Sequence, residues 1–262
     1  MFRSLQIAAT GMLAQETQLD TVANNMANAN TTGFKRQSAE FEDLIYQNMR
    51  SVGPVADGEA AGPTLTQVGS GSRVMATSRS FAQGTLQQTG NTYDLGVQGN
   101  GFFQVMRPNG DLAYTRAGSM KLDSQGRMVT SDGYPLQPQI IVPNNAMSVT
   151  IGADGTVTAT EPNQTAPVPL GQIQLATFTN TDGLMALGQN LFEATASSGQ
   201  PLTGSPGVGA LGTLQQGSLE ASNVDVVNEM VSLISAQRAY EINSKVVTAA
   251  DEMLRNATSM QG

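Results

Sequence analysis

The chain has 262 residues, with 13 Lys and Arg against 21 Asp and Glu, so its formal net charge is −8. This acidic balance argues against nucleic-acid binding through phosphate neutralisation. Cys and His are absent, which excludes thiol nucleophiles, disulfides, imidazole catalysis and nearly all zinc, copper and non-haem iron sites. We therefore expect no catalytic, cofactor-binding or metal-binding residues.

Charged residues make up only 13% of the chain, against about 25% in typical soluble domains. Its surface must consequently be rich in neutral hydrogen-bonding side chains. Such a surface costs less to desolvate when another protein covers it. This composition suits a subunit that is buried in an assembly.

An amphipathic helix is predicted over residues 3–29, because apolar positions recur there at alternating spacings of four and three residues. This first stripe comprises Leu5, Ala9, Met12, Glu16, Leu19, Ala23 and Met26. Gly33 is a plausible stop. Polar residues interrupt the apolar start, so neither a cleaved signal peptide nor a membrane-inserted segment is predicted.

The centre of the chain has the texture of short strands and turns. Pro108–Asp111 forms a hairpin signal between two β-favouring runs, and further turn signals follow at regular spacing. These patterns predict an all-β domain over residues 75–198. Stretches rich in Gly, Pro and Ala, at 51–71 and 198–212, are expected to be linkers.

A second helix is predicted over residues 223–257, with Ser222 and Asp225 as a possible capping box. Its first stripe comprises Val226, Met230, Leu233, Gln237, Tyr240, Ser244, Val247, Asp251 and Leu254. A second stripe comprises Val227, Val231, Ile234, Ile242, Val246, Ala249 and Met253. This apolar surface is wider than one partner helix needs, so part of it is a candidate surface for other subunits.

The predicted fold class is α+β, with the two terminal helices pairing as a coiled-coil-like domain around the inserted all-β domain. Three regions are expected: a helical domain of residues 1–33 and 218–262, a linker or extended region of 34–74 and 199–217 that includes a Gly/Pro-rich stretch, and a β-rich domain of 75–198. Helix propensity is low in both terminal segments. We therefore expect them to fold as they dock onto other subunits.

Two enzymatic interpretations are weak. Residues Gly207–Gly212 match the glycine spacing of a dinucleotide-binding loop, but no strand is predicted before them and no helix after them. The acidic residues Glu16, Asp20, Glu40, Glu42 and Asp43 could in principle serve a peptidoglycan glycosidase, which needs two carboxyl groups facing each other. Acidic residues on a helix surface are the commoner explanation.

The Asn-rich end of the first helix carries a specific resemblance. Residues Asn24–Asn28 followed by Thr32–Lys35 are similar to the N-terminal signature of the flagellar rod and hook family. The C-terminal runs Ser222–Met230 and Ala236–Glu241 resemble the other end of that family. The central runs Gly99–Phe103 and Tyr114–Gly118 resemble its β-domain.

The resemblance implies a bacterial axial structural protein, exported without a cleaved signal through the flagellar type III pathway. Such proteins polymerise helically into a hollow tube, with the terminal helices inside and the β-domain outside. Length and the stretch after the first helix indicate the rod segment next to the hook. A proximal-rod or hook-type subunit remains the alternative.

The resemblance also implies partners: further copies of the chain, proximal rod proteins, the hook protein, the surrounding ring proteins, the export apparatus and the rod cap. The stretch at 46–71, with Tyr46, Pro54 and Pro63, is implied to give the rod its stiffness. The residues expected at subunit interfaces are Leu5, Met12, Leu19, Asn24, Asn25, Met26, Asn28, Val226, Val227, Met230, Leu233, Ile234, Tyr240, Val247 and Leu254.

Overall fold

The computed structural model describes residues 2–50, 66–162 and 166–259. Helices α1 (Phe2–Ala27) and α2 (Val226–Ser259) lie at the two ends of the sequence, and strands occupy the part between them. The predicted α+β class is confirmed, and both helices begin and end within three residues of the predicted positions. The chain divides into two compact units. The helical unit contains the described residues of Met1–Met26, Gln37–Ser78 and Val226–Gly262, and the β unit contains Ala27–Arg36 and Arg79–Asp225.

Helices α1 and α2 lie side by side and antiparallel in the helical unit. The Asn25 amide donates to Glu229 Oε2 at 3.2 Å. About four turns earlier on α1, a Cβ placed on Gly11 would lie 3.0 Å from Nδ2 of Asn243. Contacts that advance along α1 thus move backwards along α2, which defines the antiparallel direction.

The buried stripe of each helix differs from the one predicted by apolarity. In α1 the buried positions are Ala8, Ala14, Thr21, Val22 and Asn25. In α2 they are Glu229, Ala236 and Ala250. Most of these positions lie one residue before members of the predicted first stripes. Small residues occupy several of these buried positions, whereas the larger apolar side chains of the predicted stripes are partly buried or exposed.

The start of α2 also differs from the prediction. The helix begins at Val226, and Ser222 accepts a hydrogen bond from the backbone N–H of Val224 at 3.3 Å instead of capping the helix. The predicted capping box with Ser222 as the first member is therefore wrong, because Ser222 stabilises a turn before the helix.

Short strands make up most of the regular structure between the helices, with one 3₁₀ turn at Thr181–Gly183 in the described residues. They are β1 (Gln37–Asp43), β2 (Gln47–Arg50), β3 (Thr66–Val68), β4 (Ser72–Arg79), β5 (Leu86–Gln88), β6 (Leu95–Gln98), β7 (Phe102–Met106), β8 (Leu112–Thr115), β9 (Met120–Leu122), β10 (Met128–Thr130), β11 (Leu136–Gln137), β12 (Ser148–Ile151), β13 (Thr156–Thr160), β14 (Val168–Gln172), β15 (Leu175–Thr177), β16 (Met185–Gly188), β17 (Leu191–Glu193), β18 (Leu202–Gly204), β19 (Thr213–Gln216) and β20 (Ser218–Glu220).

The largest sheet has the order β16-β17-β8-β7-β15-β18, with β11 also paired to β7. Strands β12, β13 and β14 form an antiparallel sheet, and β19 pairs with β6, β20 with β5, and β1 with β4. The hairpin predicted at Pro108–Asp111 is confirmed, because it joins β7 to β8 in antiparallel register.

Strand β7 contributes to two hydrophobic clusters, because successive side chains point to opposite faces of a strand. Phe103 and Val105 belong to the main core of the β unit. Phe102 belongs to an aromatic cluster, in which the rings of Tyr114 and Phe178 are 4.8 Å apart and nearly perpendicular. Burial on both faces makes β7 the central element of this unit.

The observed units differ from the three predicted regions. Strands β1 to β3 and β18 to β19 lie within the ranges 34–74 and 199–217 that were expected to be linker or extended regions, and β4 begins within the first of them. Residues 27–33 and 218–225 belong to the β unit, although they were expected in the helical domain. The prediction from local composition missed these strands, because pairing with distant segments stabilises them.

Candidate subunit interface

A broad apolar surface on α2 is exposed. Its large exposed side chains are Val226, Val227, Met230, Val231, Ile234, Tyr240, Ile242, Val246 and Met253. Val227 is 70% exposed and Ile242 is 61% exposed. Monomeric proteins rarely leave contiguous apolar surface of this kind uncovered. The arrangement is therefore typical of a helix that packs against another chain.

The residues predicted at subunit interfaces fall into three groups. Exposed members are Asn24, Val226, Val227, Met230, Ile234 and Tyr240. Partly buried members are Leu5, Met12, Leu19, Met26, Asn28, Leu233, Val247 and Leu254. Asn25 alone in this set is buried within the protomer, with 1% exposure. The first two groups keep surface available for a neighbour, so their interface role stays a prediction.

Asn25 has an intramolecular role in the structure. Its Nδ2 donates to the carbonyl oxygen of Gln37 at 2.7 Å, and its Oδ1 accepts from the Gln37 N–H at 2.9 Å. The same amide also reaches Glu229. One side chain thus joins the end of α1 to the start of β1 and to α2. These hydrogen bonds hold Asn25 inside the helical unit, and its predicted role at a subunit interface stays a prediction.

Only part of the predicted stiffness segment lies within the described residues. Tyr46 is 53% exposed, and a Cβ on Gly69 would lie 3.3 Å from its ring. Strands β2 and β3 pair on either side of the remaining stretch, with Gln47 opposite Val68. Pro54 and Pro63 lie outside the described residues. The role of this segment in stiffness stays a prediction.

The β unit contains a buried ionic cluster that sequence reasoning missed. Nζ of Lys35 lies 2.7 Å from Oε1 of Glu220, and Nε of Arg116 lies 3.0 Å from Oε2 of the same carboxylate. Lys35 and Glu220 are fully buried, and Arg116 is 4% exposed. We call these three residues the ionic cluster.

Backbone groups also bond to the ionic cluster, whereas Glu220 Oε2 makes an ion-pair contact with Arg116 but has no hydrogen-bond partner among the described residues. Lys35 donates to the carbonyl oxygen of Ala82 at 2.8 Å, and Glu220 accepts from the N–H of Gly84 at 2.8 Å. Arg116 donates to the carbonyl oxygens of Gly99 and Gly101. Burial lowers the pKa of Lys35, and its hydrogen bond and attraction to Glu220 oppose that shift. Burial also lowers the pKa of Arg116.

The ionic cluster connects sequence segments next to the two helices. Lys35 follows α1 by eight residues, and Glu220 precedes α2 by six. Gly33 lies beside it with a φ of 71°, and its N–H donates to the Glu220 carbonyl oxygen at 2.8 Å. In the sequence, Lys35 directly follows the apolar residue Phe34. Sequence spacing does not show which distant residue pairs with a buried cation.

The residues of the two enzymatic interpretations lie in a loop and on the exposed surface of a helix. Residues Gly207–Gly212 lie between strands β18 and β19, so the helix of a dinucleotide-binding loop is absent there. Glu16 and Asp20 are exposed on α1.

Within the part of the chain that the structure describes, neither helix has the length and apolar character that a membrane span requires.

Three family profiles match the chain. The flagellar hook protein FlgE/F/G D1 domain matches residues 96–159, the flagellar basal body rod FlgEFG protein C-terminal region matches 215–260, and the flagella basal body rod protein matches 5–35. These matches cover parts of the β unit and both terminal helices.

Curated relatives match over the whole length. The flagellar basal-body rod protein FlgG of Borreliella burgdorferi is 46% identical over 263 residues, covering 100% of this chain and 99% of the relative. FlgG of Caulobacter vibrioides is also 46% identical and is covered to 99%. FlgG of Bacillus subtilis is 38% identical, with both chains fully covered.

These findings and the exposed helical surface define a structural protein of the flagellar axis, and not an enzyme. The chain belongs to the flagellar basal-body rod protein family, and its full-length relatives within that family are FlgG proteins.

Proposed function

We propose that the chain is the structural subunit of the distal rod, which polymerises helically into a hollow, rigid drive shaft. The rod transmits torque from the motor to the hook and lets exported subunits pass through its channel. The exposed apolar surface of α2 is the observation that carries this proposal, because a helix of this kind needs a neighbouring chain to cover it. Full-length similarity to rod proteins supports the same role.

A helical polymer forms when the contact between identical subunits does not close into a ring. A head-to-tail contact between different surfaces of identical subunits repeats without limit and generates a helical filament. Torque then passes through many contacts per subunit, and the neutral surface of this chain keeps the desolvation cost of each one low. In this arrangement the terminal helices line the channel of the tube.

The proposed partners are further copies of the chain, the proximal rod below, the hook protein above and the ring proteins around the rod. The rod would span the periplasm and the outer membrane, after export without a cleaved signal and assembly beneath a rod cap. A proximal-rod or hook-type position is the second candidate, favoured by the shared hook and rod profile over residues 96–159.

Deletion of the gene in the native bacterium tests this function. We expect basal bodies that end at the proximal rod in electron micrographs, no hooks, and loss of swimming. An epitope-tagged copy should restore swimming and place the tag along the rod between proximal rod and hook. Complete rods in the deletion strain would contradict the proposal, and a tag on the hook or the proximal rod would favour the second candidate.

A further inference from the structure

An apolar groove lies between α1 and residues of and beside strands β1 and β4 in the helical unit. Leu13 is 63% exposed, and it lines a groove of about 410 Å³ together with Ala14, Leu44 and Val74. Glu16 and Asp20 form the rim of this groove on α1. Arg73 also lines it, but its guanidinium bonds Glu42. The groove is therefore apolar at its base and acidic along its α1 side.

The complementary surface lies on α2 and carries one cation, Arg238. Ile234 and Ile242 are 57% and 61% exposed, and Arg238 lies between them in the sequence. These three positions lie within an arc of about 100° on an ideal helix. Arg238 bonds Glu241 at 3.0 Å, but both side chains are more than half exposed, so this pair is weak and can exchange for another. We call Ile234, Arg238 and Ile242 the outer patch.

The groove and the outer patch point away from each other within one protomer. Leu13 is two residues from Gly11, which faces α2, and two residues correspond to about 200° of rotation around a helix. Ile234 is likewise two residues from buried Ala236. Because the two surfaces are on opposite sides of the helix pair, the outer patch of a protomer cannot contact the groove of the same protomer.

We infer that the outer patch of one subunit docks into the α1 groove of the next copy of this chain. The apolar side chains of Ile234 and Ile242 enter beside Leu13, and Arg238 exchanges Glu241 for Glu16 and Asp20 of the neighbour. Since the two surfaces differ, the contact repeats head to tail. This inference rests on the proposed function, because it names the subunit contact that builds the polymer.

Engineered cysteines test this contact in assembled rods, since the chain contains no other cysteine. The variant Leu13→Cys/Ile242→Cys would replace the rod protein in cells, and the isolated basal bodies would be oxidised. A head-to-tail contact produces a ladder of linked dimers, trimers and longer products on a non-reducing gel. Each single variant, with one cysteine per subunit, can give dimers at most.

The outcomes separate this inference from the proposed function. Rods that contain the double variant but give no product longer than a dimer would overturn the docking inference and leave the rod function intact. Absence of the chain from rods, for the wild type as well, would overturn the proposed function itself. Both substituted positions are exposed, so the protomer should fold normally.

Charge reversal provides a second test in the same rods. Arg238→Glu and Asp20→Arg should each reduce the number of assembled rods at least about tenfold, because they place like charges at the contact. The combined variant Asp20→Arg/Arg238→Glu should recover most of that loss. A double variant no better than either single variant would show that these two residues do not meet.

Discussion

At the scale of single residues, the least replaceable groups are polar and buried. Lys35, Arg116 and Glu220 form an ionic cluster in a chain with few charges. Removing one member of a buried ion pair leaves an uncompensated charge, which costs far more than the intact pair contributes. The ionic cluster should therefore tolerate joint replacement better than single replacement.

The variant Glu220→Gln leaves two buried cations without their shared carboxylate. We expect the free energy of unfolding of the β unit to fall by about 3–5 kcal/mol, measured by urea denaturation of the full chain. The exposed pair Arg238 and Glu241 is the control, and Glu241→Gln should cost less than about 1 kcal/mol. Equal costs for the two substitutions would refute a special role for the ionic cluster.

Asn25 offers a matched comparison with its neighbour. Asn25→Ala leaves both backbone groups of Gln37 without the amide that pairs with them, so we expect a loss of about 2–4 kcal/mol. Asn24→Ala, at an exposed position, should change stability by less than about 0.5 kcal/mol. Thermal unfolding of assembled rods, in which both helices are folded, measures both effects by circular dichroism, and equal effects would contradict the intramolecular role of Asn25.

At the scale of elements, the sequence predicts the existence of both helices and of many central strands, but not the faces they bury. Apolar spacing selected Leu5, Met12 and Leu19, whereas the α1–α2 contact uses Gly11 and Asn243. A helix that packs against two partners carries two stripes, and one sequence does not show which stripe is used inside the protomer. Strands such as β1 were missed because their partners are distant.

Gly33, which was expected from the sequence to end the first helix, lies in the turn after α1. A Cβ there would lie 2.7 Å from the backbone nitrogen of Ala117. Gly90 has nearly the same φ, 72° against 71°, but nothing lies within 4 Å of its added Cβ. Gly90→Ala should cost about 1–2 kcal/mol for the left-handed backbone alone, as measured by urea denaturation.

Gly33→Ala should cost clearly more than Gly90→Ala, because the clash is with backbone atoms that cannot rotate away. The difference between the two variants isolates the close approach from the conformational penalty. Identical costs would mean that the segment around Ala117 shifts freely, and the turn would then not be a fixed part of the β unit.

At the scale of the whole molecule, we expect the terminal helices to fold only when they dock onto other subunits. Limited trypsin digestion of the dilute monomer should then cut at Arg238 and Lys245 in α2, which are exposed. Lys35 should resist, because it is buried and bonded to Glu220. Mass spectrometry identifies the fragments, and an α2 that resists trypsin while the β unit is cut would contradict coupled folding.

The central claim is that the exposed surface of α2 builds the rod. Ile234→Asp places a carboxylate on this surface, and Val208→Asp, at a residue that is 66% exposed in the β unit, is the matched control. In cells that carry each variant as their only copy, we predict that Ile234→Asp abolishes rods and swimming, whereas Val208→Asp retains both. Normal rods and swimming with Ile234→Asp would contradict the account.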